Sequence, residues 1–179
     1  MSNAKFKPSA LALSQNKPGE VAVGPQQRIV NDPIRCYLGD IEPVGETLKT
    51  YHGSCHCGAV RFEADIDLSQ GTLRCNCSIC TKVRFWPAIV QPSAFRLVSG
   101  ETDLTVYQFL TKRDKHLFCR HCGVRSFGIG SSPRWGAFYA VNVTCLDDVT
   151  PDELISAPIT YLDGRNDNWE TPPDEVRHL

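Results

Sequence analysis

Seven of the nine cysteines fall into three tight groups, Cys55/Cys57, Cys75/Cys77/Cys80 and Cys119/Cys122. No other feature of the chain constrains its fold so strongly. A disulfide scaffold usually has an even cysteine count and follows a secretion signal. Here the count is odd, and the N-terminus MSNAKFKPSALALSQ lacks the apolar core of roughly 7–15 residues that such a signal needs. Clustered cysteines in such a chain point to metal in a reducing compartment, read here as the cytoplasm.

Spacing sorts the cysteines further. Cys119-Arg120-His121-Cys122-Gly123 is a knuckle whose two thiolates face one ion from a tight turn. Cys55-His56-Cys57-Gly58 is tighter. Sulfurs on a tetrahedral zinc lie about 3.8 Å apart, given Zn–S of about 2.3 Å. A straight strand separates residues i and i+2 by about 6.6–7 Å. The pair must therefore sit on a bend, and Gly53 and Gly58 flank it. Cys55, Cys57, Cys119 and Cys122 together give a closed, structural four-thiolate site.

Cys75-Asn76-Cys77-Ser78-Ile79-Cys80 offers three thiolates with no fourth cysteine nearby. Three protein ligands and one open position is the pattern of a reactive zinc. Such a centre holds an incoming thiol as thiolate, which makes a sulfur nucleophile available at neutral pH. Four thiolates also suit an iron–sulfur cluster, but sets of four and three fit two mononuclear zincs better. Cys36 and Cys145 read as small buried apolar residues.

Downstream of Gly53 the pattern is β. Ala59–Ile66 alternates apolar and polar residues. Short runs rich in β-branched and aromatic residues follow at 88–91, 95–99, 104–109, 116–119, 125–129 and 138–143, bounded by Pro, Gly or Ser. Only 77–83 and 150–155 read as helical turns, the second from an N-cap Thr150 followed by Pro151. The expectation is an all-β domain over residues 51–170. An extension with little regular structure (1–50) precedes it, and a short tail (171–179) follows.

Charge excludes some partners. The chain carries 19 basic and 20 acidic side chains, and no apolar run is long enough to span a bilayer. A nucleic-acid coat or membrane binder is not expected. The charge is uneven, however. Residues 74–125 hold nine basic and three acidic groups, while 146–179 hold two and nine. The metal-ligand region is thus the basic part, which suits an anionic small molecule. Lys82, Arg84, Lys112, Arg113 and Lys115 are candidates to meet carboxylates.

Four segments carry a resemblance: GSCHCGAVRF (53–62), CNCSIC (75–80), HLFCRHCGVRSF (116–127) and VNVTCLDD (141–148). The sequence resembles the glutathione-dependent formaldehyde-activating enzyme family, which also includes centromere protein V. YLDGRNDNW (161–169) is similar to the closing motif of some bacterial members. The resemblance implies small antiparallel sheets in a tent-like arrangement stapled by two zincs. By position, Cys55, Cys57, Cys119 and Cys122 would hold the structural zinc, and Cys75, Cys77 and Cys80 the catalytic one. It further implies a carbon–sulfur lyase that adds glutathione to formaldehyde, or cleaves the adduct, with a small-molecule thiol and an aldehyde as partners. A zinc-stabilised binding module and a thiol redox sensor are the alternatives. Phe85-Trp86-Pro87 could wall the site, and His116, His121 or His56 could carry a proton. Asn142, Asp163 and Trp169 belong to family-like motifs but suggest no chemistry by themselves.

Overall fold

The computed structural model describes residues 47–179. The reading of 1–50 as an extension, and of Cys36 as a buried residue, therefore falls almost wholly outside the described residues. Among the described residues ten strands form three small sheets, with two one-and-a-half-turn helices between them.

The first sheet is antiparallel, with β1 (Lys49–Ser54) and β5 (Phe95–Ser99) on either side of β2 (Arg61–Ile66). The alternation in β2 places Phe62, Ala64 and Ile66 inside and Arg61, Glu63 and Asp65 outside. On the outer face Arg96 pairs with Glu63 across the strands, at 2.7 Å. Such an exposed pair adds only about 0–1 kcal/mol. The five-stranded antiparallel sheet runs in the order β4 (Pro87–Val90), β9 (Gly136–Asn142), β8 (Phe127–Ser132), β7 (Lys115–Cys119), β6 (Leu104–Tyr107). The third pairs β3 (Thr72–Cys75) with β10 (Ile159–Leu162) in parallel. The expectation of antiparallel sheets holds for the two larger ones, and this pair departs from it.

Aromatic rings join the two larger sheets. Phe62 stacks on Phe95 with centroids 5.5 Å apart, Phe95 on Tyr139 at 4.1 Å, and Phe127 meets Phe95 at 4.7 Å. Phe62 is 1 % exposed, and burying a side chain of that kind contributes about 1.5–3 kcal/mol. Gly53 serves this core. A Cβ there would fall 2.2 Å from the Phe62 ring, so its value lies in packing within β1 and not in the turn it was expected to flank.

Both helices lie where the sequence places them, at Ser78–Val83 (α1) and Pro151–Ser156 (α2). Helix α2 starts with a capping box: Thr150 Oγ1 accepts from the Glu153 N–H, and Glu153 accepts from the Thr150 N–H. Glu153 also receives Lys49 Nζ at 2.9 Å and the Tyr51 hydroxyl at 2.8 Å, which fastens α2 to β1. Cys145 is buried in the core, in line with its reading as a small apolar residue. No helix among the described residues is long and apolar enough to cross a membrane.

Candidate metal and active site

Two hairpin turns carry the four-cysteine group. The loop between β1 and β2 closes with the Cys55 N–H on the Val60 carbonyl (3.0 Å), and that between β7 and β8 with the Cys119 N–H on the Val124 carbonyl (3.0 Å). In each, a glycine takes the left-handed backbone that the turn requires, Gly58 and Gly123 both at φ 75°. The turns bring the sulfurs of Cys55, Cys57, Cys119 and Cys122 within 4.8 Å of one another. Cys55 Sγ lies 3.5 Å from Cys57 Sγ, which is 3.6 Å from Cys119 Sγ. These separations are close to the edge of a thiolate tetrahedron around zinc.

The three-cysteine group is built from different parts. Cys75 ends β3, Cys77 caps α1 and Cys80 lies within α1, and their sulfurs also lie within 4.8 Å of one another. The three thiols cannot ionise together without a cation. Hydrogen bonds from Cys75 and Cys80 draw Cys77 down to about 2. Hydrogen bonds with Cys75 and Cys77 in turn hold Cys80 far above the ordinary thiol range. A divalent ion is the partner that lets all three carry charge at once. Both groups could hold a metal ion.

The closing motif holds the three-cysteine loop in place. Asn76, between two of the cysteines, donates through Nδ2 to Asp163 Oδ1, and its Oδ1 accepts the Arg165 N–H at 2.8 Å. Asp163 is buried, and its other oxygen takes Asn166 Nδ2 at 2.7 Å. The donors Asn76 and Asn166 hold the Asp163 carboxyl below the usual range. Gly164 then lies directly against the cysteines. A Cβ on it would sit 2.7 Å from Cys75 Sγ and 3.0 Å from Cys77 Cβ. Asp163, which sequence alone left without a role, is thus a support of the cysteine loop.

Cys75, Cys77 and Cys80 open onto a cavity of about 840 Å³; the four-cysteine group does not line it. Phe85, Trp135, Phe138 and Trp169 supply aromatic walls. Of the five expected cations, Arg113 and Lys115 line the cavity, while Lys82, Arg84 and Lys112 do not. Arg125 and Arg165 also line it, and sequence reasoning missed both. The signal for Arg125 was a lone cation between Val124 and Phe127, in a stretch that otherwise leads into a buried strand.

The histidines separate clearly. His116 lines the cavity, with its ring stacked 5.2 Å from Phe109 and its Nδ1 buried without a protein partner. Burial and the nearby Arg125 push its pKa down, so the ring is neutral near pH 7. His121 is exposed and bonds Asp103 at 2.8 Å. His56 is exposed too, and neither lines the cavity. Within Phe85-Trp86-Pro87, Phe85 and Pro87 line the cavity. Trp86 packs against the core and donates to Thr72 Oγ1 at 2.7 Å.

Fold and site define a class: a small β-protein with two cysteine groups able to hold metal, one of them facing a cavity that is basic at several points. A family model described as glutathione-dependent formaldehyde-activating enzyme matches residues 50–161, and the chain belongs to that family. The crystal structure of a Rhodobacter sphaeroides protein is similar at 37% identity with a TM-score of 0.53, over 61% of this chain and 99% of that one. Most of the closing motif, which holds Asp163 and Gly164, lies beyond the matched residues.

Proposed function

We propose that the chain adds a thiol, glutathione in the first instance, to a small aldehyde and also cleaves the adduct, as a zinc-dependent carbon–sulfur lyase. The observation that carries this reading is the division of labour between the cysteines. Only the incomplete group, Cys75/Cys77/Cys80, faces the large cavity. Family membership supports glutathione and formaldehyde as the substrates.

In this reading Cys55, Cys57, Cys119 and Cys122 would hold a structural zinc, and Cys75, Cys77 and Cys80 would hold a second. Zinc held by these three cysteines would lower the pKa of a coordinating thiol, so that the thiol ionises near neutral pH. The chain's own residues do the rest. The exposed Arg113, Lys115 and Arg165 at the cavity meet the carboxylates of glutathione. Phe85 and Trp169 bound the space around the sulfurs and limit water. His116, neutral at working pH, takes the thiol proton and returns it to the aldehyde oxygen once the sulfur has added to carbon. Much of the rate gain comes from holding sulfur and carbonyl carbon side by side.

The test is exchange NMR on zinc-loaded protein with glutathione and formaldehyde. The expected result is interconversion of glutathione and S-hydroxymethylglutathione faster than the spontaneous rate, lost in Cys77→Ser. Interconversion at the spontaneous rate, or unchanged turnover in Cys77→Ser, would refute the reading.

A further inference from the structure

Arg125 lines the cavity with buried donors left open. Its Nε and Nη1 are buried with no hydrogen-bond partner. Among the described residues no carboxylate lies within ion-pair distance of it, although other arginines have such partners. Cys80 Sγ is a side-chain partner of the guanidinium, but Nε and Nη1 stay open, and buried donors of a charged group left open are costly unless a further anion meets them.

The group is also held in a fixed position. Its guanidinium carbon sits 3.7 Å over the centre of the Phe85 ring. On β8, Gly128 leaves room for it, since a Cβ there would lie 3.0 Å from Arg125 Nη2. Its backbone is clamped as well: Asn142 Nδ2 donates to the Arg125 carbonyl at 3.2 Å, and the Asn142 N–H donates to the Ser126 carbonyl at 2.9 Å. Asn142 thereby acquires the role that sequence alone could not assign. A cation fixed on an aromatic face, with free donors, is a receptor for a planar carboxylate.

Its depth says which carboxylate. Arg113, Lys115 and Arg165 are exposed, as suits the ends of a long anionic thiol. Arg125 is only partly accessible and lies beside Cys77 and Cys80, where the carbon that bonds to sulfur must sit. We infer that Arg125 is a specificity residue for an electrophile that carries its own carboxylate, an aldehyde of the 2-oxo acid type. This rests on the lyase reading of the same site. The step is RSH + OHC–COO⁻ → RS–CH(OH)–COO⁻. One carbon–sulfur bond forms, the carbonyl π pair moves to oxygen, the thiol proton follows it, and nothing is oxidised or reduced. Arg125 holds the carboxylate and so aims the carbonyl carbon at the sulfur.

The experiment uses unreactive adduct analogues on zinc-loaded full-length protein, by calorimetric titration. S-carboxymethylglutathione carries the carboxylate, and S-carbamoylmethylglutathione is its neutral counterpart. The wild type is expected to prefer the carboxylate by about tenfold or more. Arg125→Met should erase the preference. Arg125→Lys, which keeps the charge but not the fork, should retain part of it. Equal binding by the wild type, or a preference that survives in Arg125→Met, overturns the inference; the wild-type comparison decides even if a variant does not fold. Binding of neither analogue would refute glutathione as the thiol. The same comparison with (methylthio)acetate and (methylthio)acetamide then decides the role of Arg125 by the same criteria.

Discussion

Substituting Gly164 by alanine adds one methyl group where the closing motif meets the three-cysteine loop. The new Cβ would lie 2.7 Å from Cys75 Sγ, 2.8 Å from Trp169 Cη2 and 3.0 Å from Cys77 Cβ. Favourable non-bonded contacts lie at about 3.5–4.0 Å, so three contacts are each too close by roughly 0.5–1.3 Å. The strand end and the turn cannot both yield. Asn76 ties one to the other through Asp163 Oδ1 and the Arg165 N–H. Overpacking of this kind costs about 1–3 kcal/mol. For a domain of this size that lowers the melting temperature by roughly 3–15 °C. The damage should be local, because the four-cysteine group is formed by other turns, between β1 and β2 and between β7 and β8. The assay combines thermal melting with zinc content. Gly164→Ala should keep the structural zinc, lose or weaken the second, and melt lower. A variant with wild-type melting and full zinc content would refute the claim that Gly164 is the backbone contact on which the cysteine loop depends.

Three further outcomes are expected. Cys119→Ser removes a buried sulfur from the four-cysteine group that joins two hairpins, and should unfold the domain or lower its melting temperature by more than about 20 °C. Zinc binding in small structural sites is worth about 10–16 kcal/mol, against a net domain stability of about 5–15 kcal/mol; melting like wild type would contradict the structural assignment. Cys77→Ser should fold normally, with circular dichroism unchanged, yet show no glutathione-dependent aldehyde turnover. Glu153→Gln should lower the melting temperature at pH 6, with the difference from wild type shrinking as pH falls. The Thr150 N–H, Lys49 and Tyr51 hold the Glu153 carboxyl down at about 2, so its stabilisation is full above the ordinary carboxylate range and is lost as pH falls through that lower value. A difference between the two proteins that stays constant from pH 6 to about 2.5 would refute the role of the charge.

Much of this architecture was legible because cysteine spacing is a geometric statement. A pair such as Cys55/Cys57 can share an ion only on a bend, and the bend is there, with Gly58 in the left-handed region. Alternation in Arg61–Ile66 gave the buried face of β2 directly. Three elements were not foreseen: β1, β3 and β10. Strand β1 starts at Lys49, inside what read as an extension, since its first residues show no sharp alternation. The short TLRC and ITYL segments become strands only by pairing with each other across the chain. No local pattern signals such a parallel contact. The same reason hid the site's support. Asn76 and Asp163 are ordinary polar residues until the fold makes them partners, and Arg125 is one cation among many until its two open buried donors are seen. His116 differs from His121 only by burial, which spacing does not encode.

The central claim is that the three-cysteine group is a separate metal site where the thiol binds. Native mass spectrometry of freshly purified protein, wild type and Cys77→Ser, each with and without glutathione, tests it most directly. The account predicts about two zincs per chain in the wild type and about one in Cys77→Ser, with glutathione retained only by the wild type. Equal zinc content in the two proteins, or equal retention of glutathione, would contradict it.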